Sequence, residues 1–382
     1  MHRMIELMSR GLRGALLSAV ALSASAVAGA QGNGAAAAPN LAGKILTVTG
    51  PIDPAQAGAT LMHEHIFIDF KAPATADGKP VPPTPGDTAR SGGLTDFDIQ
   101  LAEIRKFKDA GGGTIVDVTN FGLSRNPDWL RRVSQASGLH VVMGAGWYMR
   151  PYHPKDMNER TVEELTAILL RDITQGAQGT NVRSGIIGEV GVGAFGARIP
   201  LTENEQKSIR ASARASRLTG APISFHSFAS QDEMLRALDI VASEGVDLNH
   251  VVMGHTGTGD LAAMKRYTDR GAYVEFDYIG SVRSADSSAV QLARGAERLA
   301  ASIKTLIDGG LTERILVAHD VCTQAQLTKN GGGGFAYIST MVVPALRKLG
   351  VTDETIHKIL VENPRRVLTF VAPQPQVKQA GA

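Results

Sequence analysis

Short apolar runs rich in β-branched residues alternate with longer amphipathic stretches along most of the chain. Alternation of this kind predicts βα units with a parallel sheet, and eight units predict closure into a (β/α)₈ barrel. The runs lie near Ala59–Ile68, Gly113–Thr119, His140–Tyr148, Ser184–Gly191, Ala221–Ser227, Asn249–His255, Ala272–Ile279 and Arg314–Asp320.

Helical spacing is found in the stretches between the runs. It is clearest over Asp96–Ala110, Asn158–Ala177, Thr202–Thr219, Asp232–Ser243, Asp286–Asp308 and Thr352–Leu360. Glycines at 111–113, 220 and 309–310 follow helical stretches, where a helix commonly ends.

The runs are nearly continuous apolar strings, as expected for parallel strands that are buried on both faces. Lys44–Ile52 predicts an additional hairpin strand before the barrel. A doubly wound open sheet is the alternative architecture. It is disfavoured because no glycine-rich phosphate turn follows the first run.

The first thirty residues have the pattern of a secretory signal peptide. Three arginines precede the apolar run Ala15–Ala28, and small residues follow as far as Ala30. Export to the periplasm or outside the cell is therefore expected, with an uncleaved membrane anchor as the alternative reading.

The remaining chain shows no linker that would divide domains. We expect a flexible leader over 31–43, one barrel domain over 44–370 and a disordered tail over 371–382. The proline-rich stretch Lys71–Asp87 is expected to form a long loop.

Charge and cysteine content exclude some classes of protein. The 382 residues carry a formal net charge of +2, and the predicted signal peptide contains three basic residues and one acidic residue. The mature chain would then be neutral, which gives no electrostatic footprint for nucleic acid or an anionic membrane. The one cysteine, Cys322, excludes an internal disulfide framework, and it is interpreted as a packing residue.

Polar side chains recur at the predicted carboxyl ends of the strands, where active sites of (β/α)₈ barrels lie. His63 and His65 are two positions apart and should point to the same side of the first run, with Glu64 pointing away. The other candidates at strand ends are Glu189, His226, His255, His319 and Asp320.

Four histidines and two carboxylates exceed the needs of one tetrahedral ion. His63, His65, Glu189, His226, His255 and Asp320 suit two divalent ions, most simply Zn²⁺, that share a carboxylate and a hydroxide. Each residue alone has an ordinary alternative: packing for the histidines, a buried ion pair for Glu189, a helix cap for Asp320. Asp117 is interpreted as a support for a ligand or a loop anchor, and Asp277 stays unassigned.

Sequence blocks in order along the chain resemble the phosphotriesterase family of the amidohydrolase superfamily, from about Thr47 to Phe370. The blocks are GATLMHEHIFIDF, GGTIVDVTNFGLSR, GAGWYMRPYHP, TENEQKSIRASARASRLTGAPISFHS, VVMGHTGTGDL, ILVAHDVC, GGGGFAYISTMVVPALRKLGV and ILVENPRRVL. The resemblance implies a (β/α)₈ barrel with a metal-dependent hydrolase site.

The resemblance also implies individual roles. His63, His65 and Asp320 would bind the more buried ion, and His226 and His255 the more exposed one. Well-known members bridge the ions with a carboxylated lysine, whereas this chain is similar to the branch that bridges with a glutamate, here Glu189. It stands one residue beyond the expected position, so a bulge or realignment at Gly188 is expected.

The expected reaction is attack of a metal-bridging hydroxide on a carbonyl carbon or a phosphorus centre, with Asp320 as general base. Tyr148 and Arg283 are candidate substrate contacts. The expected substrate is a lactone, carboxylic ester or phosphotriester; the alternatives are a small N-acyl amide and a binding protein that retains a metal without turnover. The resemblance suggests a homodimer, and the sequence identifies no macromolecular partner.

Overall fold

The computed structural model describes residues 40–70, 75, 93–193, 200–277 and 289–374. A small antiparallel hairpin comes first, formed by β1 (Ile45–Thr47) and β2 (Gly50–Ile52). It is the strand pair predicted before the barrel.

Eight parallel strands follow and form a nearly closed barrel, which confirms the predicted fold class. In the sheet each strand lies beside its sequence neighbour. The strands are β3 (Ala59–Glu64), β4 (Gly112–Asp117), β5 (His140–Ala145), β6 (Ile186–Gly193), β7 (Ile223–Phe228), β8 (Val251–Gly254), β9 (Tyr273–Phe276) and β10 (Ile315–Val317).

Backbone hydrogen bonds join the two ends of the sheet just beyond the last strand. The amide of Asp320 donates to the carbonyl of His63 at 3.2 Å, and the amide of His65 donates to the carbonyl of Val321 at 3.2 Å. The seam of the barrel therefore closes at the end where the candidate site lies.

Helices cover the outside of the barrel. They are α1 (Phe97–Asp109), α2 (Pro127–Ser137), α3 (Val162–Thr174), α4 (Glu203–Thr219), α5 (Gln231–Ser243), α6 (Leu261–Thr268), α7 (Ala289–Asp308), α8 (Val343–Lys348), α9 (Asp353–His357) and α10 (Asn363–Leu368).

Local capping decides where several of these helices begin. The helix predicted over Asn158–Ala177 starts instead at Val162, because Thr161 caps it and forms a capping box with Glu164. The helix predicted to end at Leu360 continues through a π-helical turn, Lys358–Glu362, into α10. Pro364 follows that turn, and a wider turn accommodates a residue that has no amide hydrogen.

Two apolar layers hold the fold together. The larger one joins the outward faces of the strands to the helices, through residues such as Ile115, Ile104 and Leu165. The smaller one joins alternate strand residues, including Met62, Val116, Val142 and Leu316, to Ile45, Val367 and Leu368. This second cluster fills the amino-terminal half of the barrel, and polar side chains are left for the other half.

Several predicted segments lie outside the described residues: the signal peptide, most of the leader, the loop Lys71–Asp87 apart from Thr75, Arg283, and the tail after Gln374. Among the helices of the described chain, none is both long and apolar enough to cross a membrane.

Candidate active site

Six candidate side chains meet at the carboxyl end of the barrel. They come from the end of β3 (His63 and His65), β6 (Glu189), β7 (His226), the residue after β8 (His255) and the turn after β10 (Asp320). All six are buried except Asp320 and His255, which are partly accessible. The structure thus brings together every residue that the sequence analysis assigned to the metal centre.

Glu189 lies at the middle of this cluster. Its Oε2 atom lies 3.1 Å from His63 Nε2, 2.6 Å from His226 Nδ1 and 3.7 Å from His255 Nε2, and its Oε1 atom lies 3.4 Å from His65 Nε2. The four imidazoles of the cluster therefore converge on one carboxylate.

A bulge in β6 gives Glu189 this direction. The pairing of β6 with β7 shifts register between Ile187 and Val190, which is the irregularity expected at Gly188. A side chain at position 188 would have no room, because its Cβ would lie 2.9 Å from atoms of Ser224.

Asp320 completes the cluster from the other side of the barrel. Its Oδ1 atom lies 3.3 Å from His65 Nε2. Asp320 and His255 both have left-handed backbone conformations, with φ of 53° and 59°. Such conformations are uncommon outside glycine and concentrate at functional sites; here His255 directly follows β8, and Asp320 lies in the turn after β10.

The donor atoms fit divalent metal ions. Atoms that share one tetrahedral ion at about 2.1 Å are separated from one another by roughly 3.4 Å, which is the range of most distances above. His63 supplies a second observation: it is fully buried, yet neither ring nitrogen has a hydrogen bond of acceptable geometry. A buried imidazole without partners is costly unless an ion occupies its lone pair. Two groups that could hold an ion are His63 with His65 and Asp320, and His63 with Glu189 and His255.

The protonation equilibria indicate a pocket that attracts cations. Burial lowers the pKa of His255, but the carboxylate of Asp277 more than offsets this and the pKa rises to about 10. Burial also lowers the pKa of His63, and the neighbouring Glu189 brings it well above its usual value. Burial raises the pKa of Glu189, yet the surrounding imidazoles hold it well below its usual range. Positive charge is therefore stabilised at His63 and His255, whereas burial lowers the pKa of His226.

Polar side chains contact the Nδ1 atoms of two of the histidines and so orient their rings. His65 Nδ1 lies 2.9 Å from the hydroxyl of Thr119, and His255 Nδ1 lies 2.9 Å from Asp277 Oδ1. Such partners fix which ring nitrogen faces the centre of the cluster. Asp277, which the sequence analysis left unassigned, therefore orients His255, while Thr119 was missed.

Asp117 anchors a loop. Its carboxylate accepts hydrogen bonds from the amides of Ile66, at 2.6 Å, and Thr119, at 3.1 Å. This corresponds to one of the two interpretations given to it from the sequence, and it holds the residues that follow β3 and β4.

Glu64 points away from the metal cluster, as the strand periodicity predicts, and it binds the chain on either side of Asp320. Its carboxylate accepts hydrogen bonds from the amide and Nδ1 of His319, at 2.8 and 2.6 Å, and from the amide of Val321, at 3.0 Å. His319 Nε2 in turn accepts the amide of Ile338 at 3.0 Å. Both nitrogens of His319 are therefore used in positioning the chain.

Tyr148 lies at the wall of the site. It is buried, and its ring lies edge-on to that of His226 with 4.5 Å between centroids. Burial, Glu189 and Asp320 raise the pKa of Tyr148 well above its usual value, so its hydroxyl stays protonated. Phe228 stacks on the same imidazole at 4.6 Å. Cys322 is half-buried against the main apolar layer, as expected of a packing residue.

One carboxylate at this end of the barrel was missed entirely. Glu275, on β9, is fully buried and lies 3.5 Å from His63 Nδ1. A glutamate in the apolar run AYVEFDY is the same signal that drew attention to Glu189, since a bare carboxylate is costly to bury.

Comparison with known proteins agrees with the site. Residues 43–368 match the model of the phosphotriesterase family, and the chain belongs to that family of hydrolases. It is 33% identical to an N-acetyltaurine hydrolase of Danio rerio over 357 residues, 86% of this chain and 99% of the relative.

Two solved structures illustrate the range of activities within the fold. A resiniferatoxin-binding protein from Rhodobacter sphaeroides superposes with a TM-score of 0.74 at 33% identity, covering 87% of this chain and 97% of that one. A lactonase from Listeria monocytogenes superposes with a TM-score of 0.69 at 27% identity, covering 86% of this chain and 99% of that one.

Proposed function

We propose that this protein is a binuclear, metal-dependent hydrolase that cleaves small N-acyl amides, with lactones as the second candidate class of substrate. The observation that carries the proposal is the position of Glu189, whose carboxylate lies within 3.7 Å of four histidine nitrogens. This geometry supports the proposal of two ions, and Zn²⁺ suits the imidazole and carboxylate donors.

His63, His65 and Asp320 would hold one ion, His226 and His255 the other, and Glu189 both. Bound divalent ions supply an activated water and a Lewis acid for an acyl oxygen. Residues of the chain would transfer the proton and contact the substrate.

Asp320 is the proton acceptor in this proposal. It is the most accessible carboxylate of the cluster, with a side chain that is 17% exposed. A base in that position can take a proton from the attacking water and deliver it to the leaving group. For an amide the second transfer matters most, because an unprotonated amine leaves poorly.

Tyr148 and Phe228 form an aromatic wall around His226. Such a wall keeps water away from the reacting carbonyl and accommodates a short acyl group. The hydroxyl of Tyr148, which stays protonated, can donate a hydrogen bond to a substrate oxygen.

The choice of amides over esters is supported by the relatives. N-acetyltaurine hydrolases match over 99% of their length, at 33% identity for the Danio rerio protein and 32% for the Homo sapiens protein. The lactone alternative is supported by the Listeria monocytogenes lactonase, whose identity is 27%. Amide and lactone hydrolysis proceed by the same attack on a carbonyl carbon, so one site serves either class.

The test combines metal analysis with a substrate panel. The mature protein is assayed for bound metal and for hydrolysis of N-acetyltaurine, N-acetyl amino acids, γ- and δ-lactones and a phosphotriester, with and without a chelator. We expect two equivalents of metal, highest kcat/KM for an N-acyl substrate, and loss of turnover after chelation. Highest kcat/KM for a lactone would favour the second candidate.

A matched pair of variants separates metal ligation from the general effect of losing a histidine. His226→Asn should lose metal and activity, whereas His140→Asn should retain both, because His140 lies at the opposite end of β5. Metal-loaded wild-type protein that binds these compounds without hydrolysing them would contradict the proposal and favour a binding protein.

A further inference from the structure

Strand β9, which contributes no metal ligand, carries two acidic side chains on its inner face. Glu275 and Asp277 are two positions apart at the end of β9, so both point into the barrel, and both are fully buried. Each has a carboxylate oxygen 3.5 Å from His63 Nδ1.

These two carboxylates differ in how far they are already engaged. Asp277 accepts the amide of His255 at 2.8 Å and lies 2.9 Å from Nδ1 of the same residue. Glu275 has no hydrogen bond to either oxygen. Asp277 is thus used by His255, and Glu275 is the free acceptor for His63.

His63 is the histidine that most needs such an acceptor. Its Nε2 atom faces Glu189 at 3.1 Å, and its Nδ1 atom faces β9. A neutral imidazole has one N–H and one lone pair, so a ring that offers Nε2 to an ion must carry its proton on Nδ1. Glycine at position 254 leaves room for the His63 ring, because a Cβ there would lie 3.1 Å from His63 Nδ1.

We propose that Glu275 is a positioning residue for the metal centre: it accepts the Nδ1 proton of His63, fixes the tautomer of the ring, and adds negative charge behind the ions. The inference rests on the proposed function, since it concerns the same centre. It also accounts for a buried carboxyl group that otherwise has no hydrogen-bond partner, since a bare buried carboxylate is costly.

A third ion between His63, Glu275 and Asp277 is the competing explanation, because their donor atoms lie close enough to hold one. His63 argues against it. Its one lone pair cannot serve an ion on β9 and an ion beside Glu189 at the same time.

The test uses Glu275→Met, which removes the acceptor, and Glu275→Gln, which keeps an acceptor oxygen without the charge. Metal affinity is measured by competition with a chromogenic chelator, metal content by elemental analysis, and thermal stability on metal-free protein. We expect Glu275→Met to bind metal about 10- to 100-fold more weakly than wild type. Glu275→Gln should recover part of that loss.

The metal-free Glu275 variants should remain folded, so that a change in metal affinity can be separated from unfolding. A residue with a purely structural role would instead lower the melting temperature and leave the metal affinity of the folded protein unchanged. Glu103→Gln is the matched control: Glu103 is also buried but accepts hydrogen bonds from Thr328 and Lys329, so its variant should lose stability and keep its metal.

Two results would overturn the inference while leaving the proposed function intact. One is unchanged metal affinity in both Glu275 variants. The other is three equivalents of metal in wild type that fall to two in Glu275→Met. Wild-type protein that binds no divalent metal would instead overturn the proposed function itself.

Discussion

Replacing Asp320 with asparagine tests the proton acceptor with little disturbance of the fold. Asp320 has a left-handed backbone, with φ of 53°. Asparagine adopts this conformation as readily as aspartate, whereas alanine there costs about 1–2 kcal/mol. Asparagine also keeps an oxygen at the position of Oδ1, which lies 3.3 Å from His65 Nε2.

The magnitude of the effect follows from the role. A positioned general base contributes about 10²- to 10⁴-fold to a rate, or about 3–5 kcal/mol of activation free energy. Asp320→Asn should therefore reduce kcat at least about 100-fold, while the free energy of unfolding changes little. Asp320→Ala should lose the same activity and, in addition, about 1–2 kcal/mol of stability.

The assay is steady-state kinetics on the best substrate of the panel, with metal content and urea unfolding measured on the same preparations. Metal-loaded Asp320→Asn protein that retains more than about a tenth of wild-type kcat would refute the assignment of the base. Equal stability of the asparagine and alanine variants would refute the argument from backbone conformation.

Three further substitutions have expected outcomes. Tyr148→Phe should lower kcat/KM about 5- to 10-fold at unchanged metal content, because one hydrogen bond to substrate is lost. Glu64→Gln should cost about 2–4 kcal/mol of stability, since its carboxylate accepts three hydrogen bonds around Asp320, and turnover should fall as well. Arg125→Met should cost about 3–5 kcal/mol, because it leaves buried Asp172 without the guanidinium that lies 2.8 Å away. Kinetics at saturating metal and urea unfolding measure all three.

For each of these three substitutions, a different result would contradict the role assigned to the residue. Full activity of Tyr148→Phe would show that the hydroxyl makes no hydrogen bond that matters to catalysis and that only the ring contributes to the site. A stable Glu64→Gln variant with reduced kcat would mean that this carboxylate acts on the reaction and not on the chain around it. Arg125→Met protein that is as stable as wild type would show that the ion pair contributes nothing net to folding.

Much of the fold and the ligand set could be predicted from the sequence, because both depend on local pattern. Alternation of apolar runs with helical stretches predicts the parallel barrel, and the position of a residue at the end of a run predicts which end of the barrel it occupies. Histidines at 63 and 65 could be assigned to one side of a strand from the two-residue period alone.

The exact ends of elements could not be predicted in this way. β10 ends at Val317, so Asp320 reaches the cluster through a turn and not through the strand. α9 and α10 are joined by a π-helical turn beside a proline, where the helical pattern gave an earlier end. Capping and turn geometry depend on individual backbone contacts, and the pattern of apolar residues carries no information about these contacts.

The residues that orient the candidate ligands could be identified only from the tertiary structure. Glu64 binds His319, which is 255 positions away, and Glu275 reaches His63 across the closed sheet. A sequence shows that a carboxylate is buried, but the register between distant strands and the closure of the barrel determine which imidazole it faces. For that reason the chain by itself indicated the metal ligands and the kind of fold, while the residues that orient those ligands became evident only from the folded barrel.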